Sequence, residues 1–177
     1  MMVRNATEED SMPASFTCSI CGKVHEGLTT DWAYRLPDVV WAIPEAERST
    51  AARFSDDLCQ LGDRYFIRCV LPIRFSDAEG EFCWGAWAEV EWSVFCRYRE
   101  LFDKDGSVEP MYAGYLANAL RAYADSSGAE VLVQFRDPTQ RPALHLRESD
   151  ASPLAREQRC GIDNARYHEI LEVLANR

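Results

Sequence analysis

No stretch of this chain approaches the roughly 18 consecutive apolar residues that a membrane helix requires. It has no phosphate-cradling glycine loop, no Gly-x-Ser-x-Gly elbow and no His-Glu-x-x-His pair. Those absences remove the P-loop nucleotide binders, the elbow-type hydrolases and the helical zinc peptidases. There is no internal repeat, long linker or low-complexity stretch. Positive charge is in deficit: 19 Lys and Arg face 29 Asp and Glu, for a net charge of −10. Such a surface repels phosphate backbones and acidic lipids, which argues against nucleic acid and membrane partners and admits a basic protein. Seven cysteines is an odd count for a disulfide framework. The first ten residues are polar and acidic, unlike a signal peptide. Together these point to thiols in a reducing cytoplasm.

What is present is ordinary for a globular domain: 177 residues, 47% hydrophobic and 27% charged. The chain is organised around one hairpin, from Arg64 to Val90. Its first arm places Tyr65, Ile67, Cys69, Leu71, Ile73 and Phe75 at every second position, and its second places Phe82, Trp84, Ala86, Ala88 and Val90 likewise. A period of two marks a half-buried strand. The connection through Asp77-Ala-Glu-Gly80 is polar and contains the glycine that a tight turn needs. Pairing Phe75 with Phe82 sets Ile73 opposite Trp84, Leu71 opposite Ala86 and Ile67 opposite Val90, with both apolar rows on one side.

Elsewhere the pattern changes. Residues 1–14 lack periodicity and read as a flexible tail, with 15–177 as a single domain. Pro37 limits the stretch before Ala42 to short pieces, Pro44 opens a helical turn, and Asp56 to Leu61 suits a short strand. Helical spacing of Val94, Phe95, Tyr98, Leu101 and Phe102 predicts a helix near 91–102. Alternation predicts strands over 130–136 and 143–147, joined by a turn at Asp137-Pro-Thr-Gln. Ser152 and Asp163 are N-caps for two final helices over 152–176, with Gly161 stopping the first. His168 falls on the polar side of the last helix. With 54–148 mostly strand and no strand–helix–strand alternation, the expected fold is α+β. It is an antiparallel sheet built on the 64–90 hairpin, with helices on one face and an N-terminal Cys-x-x-Cys-Gly knuckle over 15–30.

That knuckle, Cys18-Ser-Ile-Cys21-Gly22-Lys-Val-His25, is the one constellation that carries chemistry. Two thiols two residues apart, followed by glycine, converge on a point that suits zinc, and His25 supplies a third donor. Cys59, on a polar-flanked segment, is the candidate fourth ligand, with Cys160 and Cys83 as alternatives. The competing reading is a pair of free thiols. A redox pair fits less well, because Gly22 follows at once and no helical pattern continues. Asp103-Lys-Asp-Gly lacks the remaining acids of a calcium loop and reads as a turn. Cys59, His145 and Asp57 are the residue types of a nucleophile triad, but nothing in the sequence brings them together. Trp87 lies on the hairpin face opposite Trp84, beside Gly85. It is either an exposed recognition anchor or the centre of a small second core under the N-terminal segment, and the usual burial of tryptophan favours the second.

Several motifs recur in a familiar order: Phe16-x-Cys18-x-x-Cys21-Gly22-x-x-His25, Ser55-Asp-x-Leu-Cys59, Phe66-Ile-Arg68, Trp84-Gly85-x-Trp87, Gly114-x-Leu116, Arg141-Pro142 and Pro153-Leu-Ala-x-Glu-Gln158-x-x-Gly161-Ile162. In them the chain resembles the bacterial domain of unknown function 2199, over nearly its whole length. The resemblance implies a cytoplasmic bacterial protein of mixed fold with a zinc knuckle, and carries no activity with it. It also implies an extended context around Gly114 to Leu116. Members often carry histidine immediately before Pro-Leu-Ala; here Ser152 stands there. Trp87 and Arg68, both within these motifs, are the candidate binding residues.

The leading functional reading is therefore a non-enzymatic binding or interaction domain with a structural zinc, because no acid, base and nucleophile set converges in the sequence. Two others stand beside it. One is an acidic antidote that captures a basic toxin, motivated by the net charge. The other is an enzyme using an open zinc position or the Cys59 thiol.

Overall fold

The computed structural model describes residues 30–176, and before them the backbone of two short strands, β1 (Ser15–Thr17) and β2 (Val24–Glu26). These two pair antiparallel, with Phe16 opposite His25. The expected tail and Cys18 to Gly22 lie outside the described residues. Then follow β3 (Asp31–Ala33), α1 (Asp38–Trp41), α2 (Glu45–Ala51), β4 (Ala52–Phe54), β5 (Leu58–Leu61), β6 (Arg64–Arg74) and β7 (Glu81–Val90). After them come α3 (Trp92–Glu100), β8 (Tyr112–Leu116), β9 (Glu130–Gln134), β10 (Ala143–Leu146), α4 (Pro153–Cys160) and α5 (Asn164–Ala175).

The β6–β7 hairpin forms as the alternation demands, but its register differs by two residues from the expected one. Ile73 pairs with Phe82, Leu71 with Trp84, Cys69 with Ala86 and Ile67 with Ala88. A shift of two preserves which face each side chain occupies, so the same apolar rows still meet. The turn is centred one residue earlier than expected: Arg74 pairs with Glu81, and the Phe75 amide donates to Gly80 O at 3.0 Å. Phe75 also bridges to Ile162 beyond α4 and sets its ring edge-on against Tyr167 at 5.3 Å.

The sheet is not open with helices on one face. β7 pairs with β8, β8 with β9, β9 with β10, and β10 returns to β6, so five strands close into a barrel. The closing β10–β6 pairing is parallel, as is that of β3 on β7. Closure needs two strands long enough to twist away from each other, and β6 and β7, at 11 and 10 residues, are the long ones. The inner face carries Ile67, Leu71, Ile73, Phe82 and Trp84, with Val131, Val133 and Leu144 from the other strands, all fully buried. Helices cover the ends. At one, Phe95 of α3 packs on Tyr65 at 5.3 Å; at the other, Tyr167 of α5 lies 6.0 Å from Phe82. Ser152 and Asp163 cap α4 and α5 as read from the sequence, accepting from the Ala155 and Arg166 amides. His168 is not on a solvated face. It is 7% exposed, with Nε2 3.3 Å from Glu172 Oε1, because α5 buries an arc (167, 168, 170 and 174) wider than its apolar stripe.

A second, smaller core lies outside the barrel. Leu36, Val40, Ala52, Cys59 and Phe66 surround Trp87 there. Gly85 makes it possible: a Cβ at that position would stand 2.8 Å from Ala33 Cβ, so only glycine lets β3 lie against β7. Asn118, fully buried, fastens the layer. Its Oδ1 accepts from the Trp87 amide at 2.8 Å, and its Nδ2 donates to Leu36 O at 3.0 Å and Asp38 Oδ1 at 2.8 Å.

Candidate functional site

Even-numbered positions of β6 point out of the barrel, because the odd ones fill it. Arg68 is thus an outward residue, directly opposite Trp87 on β7, with its guanidinium 6.0 Å from the indole centre. On the other side of β6 lies β10, where Ala143 is beside Val70, and across β10 the same Ala143 is beside Gln134 of β9. Two residues toward the α3 end, that register sets Arg68, Arg141 and Arg136 in one transverse row. The Val70 amide donates to Pro142 O at 2.9 Å and Arg136 Nε to Arg141 O at 2.7 Å, which fixes the alignment. Like charges side by side across a sheet are unfavourable unless something answers them.

One answer comes from the β4–β5 turn. Ser55 Oγ accepts from the amides of Asp57 and Leu58 at 3.3 and 3.1 Å, which holds Asp57 toward the row. Arg141 Nε donates to Asp57 Oδ1 at 2.8 Å. Arg68 donates from Nη1 to the Asp56 carbonyl at 3.2 Å, but its Nε is buried without a partner. Desolvation first, and then the neighbouring Arg141 charge, hold the Arg68 guanidinium below its ordinary pKa.

Beside the row opens a cleft of about 400 Å³. Arg136, Arg141, Asp57 and Asp137 supply its charged lining and Val70 is part of its wall; the C-terminal end of α3 and the residues just after it add Tyr98, Leu101 and Phe102. The loop between Arg136 and Arg141 is tied by its own hydrogen bonds. Asp137 Oδ1 accepts from the Thr139 amide at 3.0 Å and from its hydroxyl, which lowers the Asp137 pKa, and Gln140 closes a turn onto Asp137 O at 3.0 Å. The Gly106 amide donates to Arg136 O at 3.0 Å. A Cβ on Gly106 would come within 2.9 Å of Phe135, so that approach also needs glycine.

Of the residues singled out from sequence, Arg68 and Trp87 are brought together. Trp87 does not face solvent: it is 0% exposed, with its indole N–H donating to Tyr34 O at 3.2 Å, as the second-core alternative required. Cys18 and Cys21 lie outside the described residues, and of His25 only the backbone place in β2 is described. Cys59 sits in the second core, where burial pushes its thiol up to about 11, against the thiolate that zinc or nucleophilic chemistry uses. Cys83 is half-buried with its thiol likewise raised to about 11, and Cys160 is exposed on α4. The imagined triad is dispersed among separate partners: Asp57 holds Arg141, and His145 faces Gln134 Oε1 at 2.9 Å, its pKa lowered by burial and Arg136. Among the described residues no group of three or more His, Cys, Asp or Glu converges where a metal could sit, and no helix is long and apolar enough to cross a membrane.

Arg136, Arg141 and Tyr98 were not singled out as site residues in the sequence. Arg141 stood there only as half of an Arg-Pro pair; its role depends on the parallel β10–β6 pairing, which no local pattern announces. No curated protein and no solved structure matches this chain. The model of the family described as "Uncharacterized protein conserved in bacteria (DUF2199)" matches residues 17–162, and the chain belongs to that family.

Proposed function

We propose that this chain is a binding domain whose partner is held at the Arg68–Arg141–Arg136 row and the cleft beside it, and that Cys18, Cys21 and His25 hold a structural zinc. One observation carries the first part. Three arginines share one transverse row on the outer barrel face, two of them lining a cleft, and the buried Nε of Arg68 has no partner. A row of cations at a fixed spacing is a costly arrangement for folding alone, and it suits recognition of a negatively charged group. The test compares what immobilised wild type and an Arg136→Ala/Arg141→Ala variant retain from a bacterial extract, read by mass spectrometry. A species enriched on the wild type and lost on the variant is expected; identical retention on both would overturn the reading.

Support for zinc is the donor set, two thiols and an imidazole in knuckle spacing. Cys59 is the least suited of the four candidates, given its apolar surroundings. Protein purified without added zinc should contain about one equivalent and lose stability on chelation. Less than about a tenth of an equivalent, with unchanged melting after chelation, rules the metal out.

A further inference from the structure

Resting on the row as a binding face, we propose that the cleft takes a small organic acid, with one carboxylate on Arg136 and Arg141 and an apolar or aromatic body against the α3 wall. Each of these two guanidiniums is anchored through Nε, Arg136 to Arg141 O at 2.7 Å and Arg141 to Asp57 Oδ1 at 2.8 Å. The terminal Nη groups of both make no hydrogen bond to the described residues. An arginine fixed at Nε with its outer edge unspent is preoriented for an oxyanion, and little side-chain freedom is lost when the ligand arrives.

The charge of the ligand follows from its neighbours. Asp57 already shows a carboxylate engaging this row at hydrogen-bond distance. Asp57 and Asp137 both line the cleft, so a phosphate dianion would meet like charge from two side chains while a monoanion meets less. The shape follows from the wall. Tyr98 and Leu101 are half-buried, and Phe102, 48% exposed, offers ring surface at the mouth. The volume, about 400 Å³, lies in the range of small-molecule sites and is too small for a folded partner.

The probe is 3-phenylpropionate, followed through the guanidinium Nε–H signals of Arg136 and Arg141 by NMR, with 3-phenylpropionamide and phenyl phosphate as the neutral and dianionic counterparts. Saturable shifts of both signals are expected with the acid, and binding at least about tenfold weaker with the amide, which lacks the charge-assisted bonds. Arg136→Gln should weaken the acid by a similar factor. Phe102→Ala, at an exposed position that leaves the core untouched, should weaken it several-fold. An amide that binds as well as the acid, or a phosphate that binds better, overturns the assignment. Signals unmoved by every probe overturn it too. If extract retention still separates wild type from the double variant, only the small-acid assignment falls; if retention is also equal, the binding face falls with it.

Discussion

The two faces of the β6–β7 hairpin obey different rules. Inside, the inward positions from Ile67 to Ile73 and from Phe82 to Ala88 are all apolar and fully covered, and the neighbours of Leu71 or Trp84 come from strands and helices that all contribute the same kind of surface. Outside, the same two strands carry Phe66 and Trp87 under a polar-fastened layer, then Arg68 at its margin, then a cleft. The inner face is set by burial alone. The outer face is set by particular partners, Asn118 for the layer and Asp57 for the row. Burial is non-directional and tolerates much substitution as long as volume is kept, whereas the outer arrangement depends on individual hydrogen bonds with fixed geometry.

That contrast is open to direct attack. Leu71→Ala, on the inner face, removes a fully buried side chain and should cost about 2–5 kcal/mol, the spread reflecting how far the barrel can collapse around the void. Urea unfolding should show a lower midpoint, and the loss should be felt across all the barrel strands in hydrogen exchange. Asn118→Ala should cost somewhat less, roughly 2–4 kcal/mol, by stranding the buried Trp87 amide and the Leu36 carbonyl. Its signature is local: exchange should accelerate at the Trp87 amide and through β3 and α1 while the inner amides of β6 stay protected. Equal acceleration throughout would mean the two cores unfold as one unit and the contrast is only one of position.

The same contrast governs what could be read without coordinates. Alternation over Arg64 to Val90 fixed the faces of the hairpin, because facing depends only on parity, and parity survived a register shift of two. The position of the turn did not follow, since parity fits any even shift and the tie of Phe75 to Ile162 and Tyr167 joins residues far apart in the chain. Barrel closure was hidden for a similar reason: a parallel return of β10 to β6 leaves no local trace. Trp87 was correctly placed on the outer face, and its second core was foreseeable from its size. The row was not, because its three arginines are consecutive only in space. Arg68 alone is singled out in the sequence, where Arg136 is the last residue of a strand and Arg141 half of an Arg-Pro pair.

A last comparison sets the row against the other arginine cluster at the α3 end of the barrel. Arg97 spends its whole fork. Nε and Nη2 reach Glu109 Oε2 and Oε1 at 3.1 and 2.6 Å, and Nη1 reaches Glu100 at 3.1 Å. The Glu109 carboxylate, 13% exposed, also accepts from the Tyr112 hydroxyl. Arg97 first, and Tyr112 second, hold Glu109 down to about 2 from an ordinary 4.5. A carboxyl whose folded pKa is depressed adds stability that is complete above its unfolded value and is lost as pH falls through the folded one. The stability difference between wild type and Glu109→Gln should therefore be constant above about pH 5 and shrink toward zero between pH 4.5 and 2. Because the site is at the surface and salt screens it, the effect should be the smallest of the three and weaker still in 1 M salt. A difference that persists unchanged at pH 2.5 would assign it to shape and hydrogen bonding, and the satisfied cluster would then no longer serve as the electrostatic counterpart of the unsatisfied row.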